Sequence, residues 1–205
     1  MAGQKIDGIE VSKEVKEILK RAVQKLKSEG LQPCLATILV GNDPASMTYV
    51  RNKHNACESV GIKTKDYNLS NTASQEELDK IIDDLNNDRG VHGILVQLPL
   101  PRQLNEFTTI SRILPLKDVD GLTPQNVGLL SMGKSILRPC TPSGIMEMFY
   151  YYKINLEGKN VVMINRSNLI GKPLYNLLLQ NNATVITCHS KTKNLKEYCQ
   201  NADII

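Results

Sequence analysis

An α/β fold in two lobes, each organised around parallel strands, is what this 205-residue sequence predicts, on three observations. Short apolar, β-prone runs alternate with amphipathic segments of helical length, the pattern of βαβ units with a mainly parallel sheet. Residues 160–188 read strand, loop, helix, strand, which is one complete βαβ unit. The polar, turn-rich stretch "LKDVDGLTPQNVG" lies upstream of that unit and is the expected hinge between the two lobes.

The elements follow in order. Val11, Val15, Ile18, Leu19, Ala22 and Leu26 recur at helical spacing with Lys and Glu between them, which predicts an amphipathic helix ended by Gly30. "CLATILVG" is a buried strand closed by glycine. Pro44 suits the first turn of a helix that runs to about Val60. Ser74 opens a capping box with Glu77, and Leu78, Ile81, Ile82 and Leu85 follow on one face. "HGILVQLPLP" is a second buried strand, stopping at Pro99, which has no N–H for a sheet ladder. Helices are expected from Leu104 to about Ile113 and from Thr141-Pro142 onward. "NVVMI", "KPLYNLLLQ" and "ATVITC" then form the strand, helix and strand of the βαβ unit.

Composition narrows the function classes. Hydrophobic residues at 41% and charged residues at 22% are ordinary for a globular protein. A net charge of +4 is too small and dispersed for nucleic acid, but suits an anionic small molecule. The five cysteines (Cys34, Cys57, Cys140, Cys188, Cys199) show no C-x-x-C spacing and read as reduced, mostly buried thiols. None has metal-ligand spacing with His54, His92 or His189, so no metal is expected. The stretch "MAGQKIDGIEVSKE" has neither the apolar core of a signal peptide nor the make-up of a transit peptide, and no run is long enough to span a bilayer. A cytoplasmic protein without membrane attachment is the expectation.

In a βαβ unit the loop lies at the carboxyl end of the strand, where N–H groups of the helix start face any bound anion. The loop here is Asn165-Arg166-Ser167-Asn168-Leu169-Ile170-Gly171, one residue longer than G-x-G-x-x-G. Asn165 is the least costly non-glycine residue should its position need a positive φ, and Gly171 permits close packing of helix on strand. Taken alone, the loop fits a plain structural turn as well as a cofactor turn. The end of the second strand, "TCHSKTK", adds that no acid is present to accept from a ribose 2′-hydroxyl. Arg166 with Ser190, Lys191 and Lys193 suits a 2′-phosphate instead, which favours NADP over NAD, although the two lysines also fit solvated loop charges.

On the helix after Pro44, Ser46, Tyr49 and Lys53 are three and four residues apart and share one face. Lys53, if partly desolvated, is suited to general acid–base work, and Tyr49 to stacking on a flat heterocycle. An ordinary exposed face fits the same spacing. Gln97 at the end of an apolar strand is either satisfied by a loop or offered to a ligand, and Asp118 and Asp120 in "KDVDG" carry the same ambiguity.

In series, "YVRNK" (49–53), "GILVQLPLP" (93–101), "KDVDG" (117–121), "PCTPSG" (139–144) and "NRSNLIGKP" (165–173) resemble the bifunctional methylenetetrahydrofolate dehydrogenase/methenyltetrahydrofolate cyclohydrolase family over nearly the whole chain. The resemblance implies a folate-binding catalytic domain over 1–121 and a Rossmann-type NADP-binding domain over 122–205. It also implies oxidation of 5,10-methylenetetrahydrofolate by NADP, hydrolysis of the methenyl product to 10-formyltetrahydrofolate, and a homodimer. By the same resemblance Lys53, Gln97 and Asp120 are catalytic. Ser46, Tyr49, Leu98 and Pro99 line the folate site, and Asn165, Arg166, Ser167 and Ser190 hold the cofactor. Two departures stand out: Asn165 replaces the family's usual glycine, and "NADII" ends inside what is expected to be the next strand. The latter leads to the expectation of a C-terminally truncated chain, with a folate-binding or regulatory remnant lacking dehydrogenase activity as the alternative function.

Overall fold

The structure, a computed structural model, describes residues 5–205. Residues 1–4, part of the N-terminal stretch read above for a leader, lie outside the described residues. The order of elements is α1 (Gly8–Ser28), β1 (Cys34–Val40), α2 (Pro44–Val60), β2 (Lys63–Leu69), α3 (Gln75–Asn87), β3 (Gly93–Val96), α4 (Glu106–Arg112), α5 (Pro124–Ser131), α6 (Cys140–Tyr151), β4 (Asn160–Ile164), α7 (Gly171–Gln180), β5 (Thr184–Cys188) and α8 (Leu195–Gln200). The chain divides into two units, one comprising Ser12–Val119 and the other Met1–Val11 with Asp120–Ile205. The predicted α/β class with parallel sheets is what is observed. Among the described residues no helix is long and apolar enough to cross a membrane.

In the unit of residues 12–119 the sheet order is β2-β1-β3, all parallel. β1 lies in the middle and is buried almost throughout, as its unbroken apolar run requires. Ile38, Leu78, Ile82, Leu85 and Ile94 are fully buried and form the heart of this unit. β2 was not expected: "KTKDYNL" is an edge strand, largely exposed or half-buried, whose only buried residue is Leu69, so no apolar run announces it. β3 ends at Val96, short of the expected Pro99, with the Gln97 N–H making the last ladder bond to β1, to the Ile38 carbonyl (2.9 Å).

Three local devices shape this unit. Asp43 accepts from the Ser46 N–H (2.8 Å) and opens α2, whose far end is closed by Gly61 in the left-handed region (φ 85°). Ser74 Oγ accepts from the Glu77 N–H (3.1 Å) and caps α3. Ser74→Ala therefore costs about 1 kcal/mol and lowers the melting temperature by about 3 °C, which a thermal denaturation curve reads directly. Lys117 holds the other end of α3, its Nζ donating to the carbonyls of Leu85 (2.8 Å), Asn86 (2.9 Å) and Asp88 (2.8 Å). The Lys117 carbonyl in turn accepts from the Ile94 N–H of β3 (2.7 Å).

α1 forms as expected, and Leu31 N–H returns to the Leu26 carbonyl (2.9 Å) past Gly30 at φ 84°. Its apolar stripe is less buried than amphipathicity suggests: Val11 and Val23 are buried, whereas Ile18 and Leu19 are exposed. Of the cysteines, none in a disulfide, Cys34 and Cys188 are buried, Cys57 and Cys199 half-buried and Cys140 exposed, so the expectation of mostly buried thiols is corrected.

In the other unit β4 and β5 pair in parallel, with Ile164 opposite Cys188. Leu130, Met146, Leu156, Val161, Met163, Leu174, Leu177 and Leu178 build one core from α5, α6, α7 and the sheet. α5 occupies residues placed in the polar hinge stretch. Its signals were present, with Thr123 accepting from the Asn126 N–H and Pro124 at the first helical position, but the polar composition of "TPQN" masked them. The short helix α8 was likewise not expected.

Candidate functional site

Lys53 lies on α2 and Gln97 immediately after β3, and the fold brings them together: Lys53 Nζ donates to Gln97 Oε1 at 3.3 Å. The amide is not free to turn, because Gln97 Nε2 donates to the Leu98 carbonyl (2.7 Å). With one amide N–H on the Leu98 carbonyl and its backbone fixed to Ile38, Gln97 turns its oxygen to the ammonium. On the same helix Ser46 is buried and Tyr49 is 63% exposed, so the predicted face runs from the protein interior to open surface, with half-buried Lys53 between those extremes. An open ring beside a half-buried amine suits a flat ligand lying over the helix. Leu98 is half-buried and joined by a cis peptide to Pro99, which is exposed.

Asp120 belongs to the unit that contains residues 120–205. There the Cys140 thiol, at the first position of α6, donates to Asp120 Oδ1 at 3.6 Å. Sequence reasoning did not pair these two residues, which lie 20 positions apart. Gly121 follows with φ 63°, and a Cβ there would lie 3.1 Å from the Arg138 backbone, so both the conformation and the space call for glycine. Asp118, the other acid of the motif, is fully buried in its own unit, with a backbone bridge to Ile94.

The loop between β4 and α7 is folded differently from the sequence expectation. Asn165 is not in the left-handed region, which among non-glycine described residues holds only Lys153, Asn182 and Asn194. Asn165 instead uses its side chain, whose Oδ1 accepts from the Ser167 N–H (2.8 Å). Ser167 Oγ accepts from the N–H groups of Ile170 (3.0 Å) and Gly171 (3.4 Å), and its carbonyl accepts from Lys172 N–H (3.0 Å). Pro173 has no N–H. The helix start is thus satisfied internally, and its amides do not face outward for an anion as the simple βαβ rule proposes. Gly171 is required by contact rather than by φ: a Cβ would lie 2.5 Å from the Asn165 carbonyl oxygen and 2.7 Å from Arg166 Cα.

Arg166 and Ser190 each lie two residues past the paired strand ends Ile164 and Cys188, in the loops that leave the same edge of the two-stranded sheet. Ser190 is exposed, and the turn that carries it is closed by Thr192 Oγ1, which accepts from the His189 N–H (2.8 Å). A cavity of about 380 Å³ adjoins this edge, lined by Met163, Arg166, Gly171, Lys172, Tyr175, Asn176 and Thr187. It contains two cations and no acid. No group of three His, Cys, Asp or Glu residues among the described residues is placed to hold a metal ion.

These features define an α/β protein with a lysine–glutamine pair in one unit and a dinucleotide-type βαβ edge, cationic and acid-free, in the other. The sequence models of the tetrahydrofolate dehydrogenase/cyclohydrolase catalytic domain and NAD(P)-binding domain match residues 6–120 and 139–205. The chain belongs to the tetrahydrofolate dehydrogenase/cyclohydrolase family. It is 68% identical over 205 residues to the bifunctional protein FolD of Nitrosopumilus maritimus, covering 100% of this chain and 71% of that protein. The crystal structure of the bifunctional FolD methylenetetrahydrofolate dehydrogenase/cyclohydrolase of Campylobacter jejuni is 48% identical, with a TM-score of 0.97, over 99% of this chain and 73% of that one. The Trypanosoma brucei enzyme, crystallised with NADP cofactor and inhibitor, is 33% identical with a TM-score of 0.96, over 100% of this chain and 72% of that one.

Proposed function

We propose that this chain is a bifunctional enzyme of one-carbon folate metabolism. It oxidises 5,10-methylenetetrahydrofolate to the 5,10-methenyl cation with NADP and hydrolyses that cation to 10-formyltetrahydrofolate. The observation that carries the reading is the oriented Lys53–Gln97 pair in a chain of this family. Hydration of the cation requires a proton to leave the attacking water and another to reach the ring nitrogen whose bond to carbon breaks. Lys53 is the group proposed to move both, and Gln97 holds its amine in place. Tyr49 stacks on the folate, and Ser46, Leu98 and Pro99 line its site; the role of Asp120 at the pterin edge rests on the family resemblance alone.

When bound, NADP supplies the hydride acceptor. The βαβ edge fits it: Arg166 and Ser190, each two residues past a paired strand end, would hold the 2′-phosphate, while Asn165 and Ser167 shape the loop beside it. We assign residues 1–121 to folate binding and catalysis and 122–205 to the cofactor. A homodimer is proposed from the resemblance to the family, and a cytoplasmic setting from five cysteines none of which is in a disulfide. A folate-binding remnant without dehydrogenase activity is not favoured, since the NAD(P)-binding domain model matches as well.

The test is direct. Purified protein given 5,10-methylenetetrahydrofolate and NADP should form NADPH and release 10-formyltetrahydrofolate. Absence of NADPH under conditions where the folded chain binds folate would overturn the reading.

A further inference from the structure

We propose that Lys172 is a specificity-determining residue for the cofactor, a second cation for the 2′-phosphate beside Arg166. The inference rests on the NADP reading above and adds a residue to it.

Lys172 and Arg166 line one cavity of about 380 Å³, together with Tyr175, Asn176 and Thr187, and no carboxylate shares it. Neither cation forms an ion pair or a side-chain hydrogen bond among the described residues. Two unneutralised cations at one cavity repel each other unless an anion enters. Lys172 also stands in the first turn of α7, where the helix macrodipole disfavours positive charge and where α7 has no acid to offset it. Both cations are exposed, so solvent screens their repulsion, but a lysine there gains nothing from the helix end, whereas a bound dianion is attracted by both charges.

The hydrogen bonds of the loop point the same way. The N–H groups of Ser167, Ile170, Gly171 and Lys172 are all used internally, so these amides do not meet an anion at this edge. Charged side chains remain. The cavity includes Thr187, the β5 residue paired with Met163, and so lies beside the strand end that leads to Ser190. The ligand class is therefore a 2′-phosphorylated adenine dinucleotide, with a phosphate between guanidinium and ammonium. NAD, whose ribose carries a hydroxyl there, gains nothing from Lys172.

The experiment compares the wild-type chain with Lys172→Gln and Lys172→Arg, measuring KM for NADP and for NAD at several salt concentrations. Lys172→Gln should raise KM for NADP about fivefold, the size of one partly exposed charge contact. It should leave KM for NAD in place and flatten the salt dependence for NADP, and Lys172→Arg should restore the wild-type preference. An unchanged preference in Lys172→Gln, or equal losses for both nucleotides, overturns the role of Lys172 alone. A wild-type chain that uses NAD as well as NADP overturns the NADP reading itself.

Discussion

Lys53→Ala should lower the cyclohydrolase rate about a thousandfold, the middle of the range that one positioned acid–base group contributes. The ammonium it removes is half-buried and has one side-chain partner, Gln97 Oε1 at 3.3 Å. Gln97→Ala tests the same pair from the other side. It leaves Lys53 in place without its anchor, so a smaller loss is expected, with a changed pH–rate profile as the mark of a misplaced proton carrier. Stopped-flow hydration of the methenyl cation separates this step from the hydride step. Hydration at the wild-type rate in Lys53→Ala would remove Lys53 from the mechanism.

Gly171→Ala is expected to be the most damaging change in the cofactor-binding unit. Its Cβ would sit 2.5 Å from the Asn165 carbonyl oxygen, a backbone atom that no side-chain rotation can move away. Relief requires α7 to shift from the end of β4, dragging the Ser167 bonds that close the helix start. Overpacking of this kind costs about 2–3 kcal/mol, so the melting temperature falls by about 6 °C. Because Gly171 also lines the cavity, NADP affinity should fall by more than tenfold, read by titration at a temperature where the variant is folded. Wild-type melting and affinity together would show that the loop yields more easily than its contacts imply.

Most of the sheet and helix order was legible because the signals are local. β1, β4 and β5 announce themselves as apolar runs, and Pro44, Ser74 and Gly30 mark helix ends through their own chemistry. β2 was not legible: an edge strand needs no apolar run, and its partner β1 supplies the pairing from a distance. α5 was missed because its caps lie in a stretch that also reads as turns. In the site, the spacing of Ser46, Tyr49 and Lys53 pointed to one face of α2, and the structure adds the bond from Lys53 to Gln97. What made Lys53 distinctive, an amide locked by the Leu98 carbonyl, depends on a contact 44 residues away. Asn165 shows the limit most clearly. Residue type suggested backbone strain, whereas the fold uses the side chain to close a turn. Nothing in the sequence singles out Lys172, since only the cavity reveals that it shares space with Arg166.

The hold of Lys117 bears on where Gln97 points. β3 is four residues long and buried throughout, so it lacks the in–out alternation that normally tells a strand which face is which. A slide of one residue along β1 would swing Gln97 to the opposite side, and it would also bring a side chain to the place of Gly93, where Val119 leaves no room for a Cβ. Lys117 removes that freedom, gripping the helix before β3 with its ammonium and β3 itself with its carbonyl. The aim of Gln97 is therefore set jointly by a glycine inside the strand and by a residue 20 positions further along the chain that acts as an alignment pin.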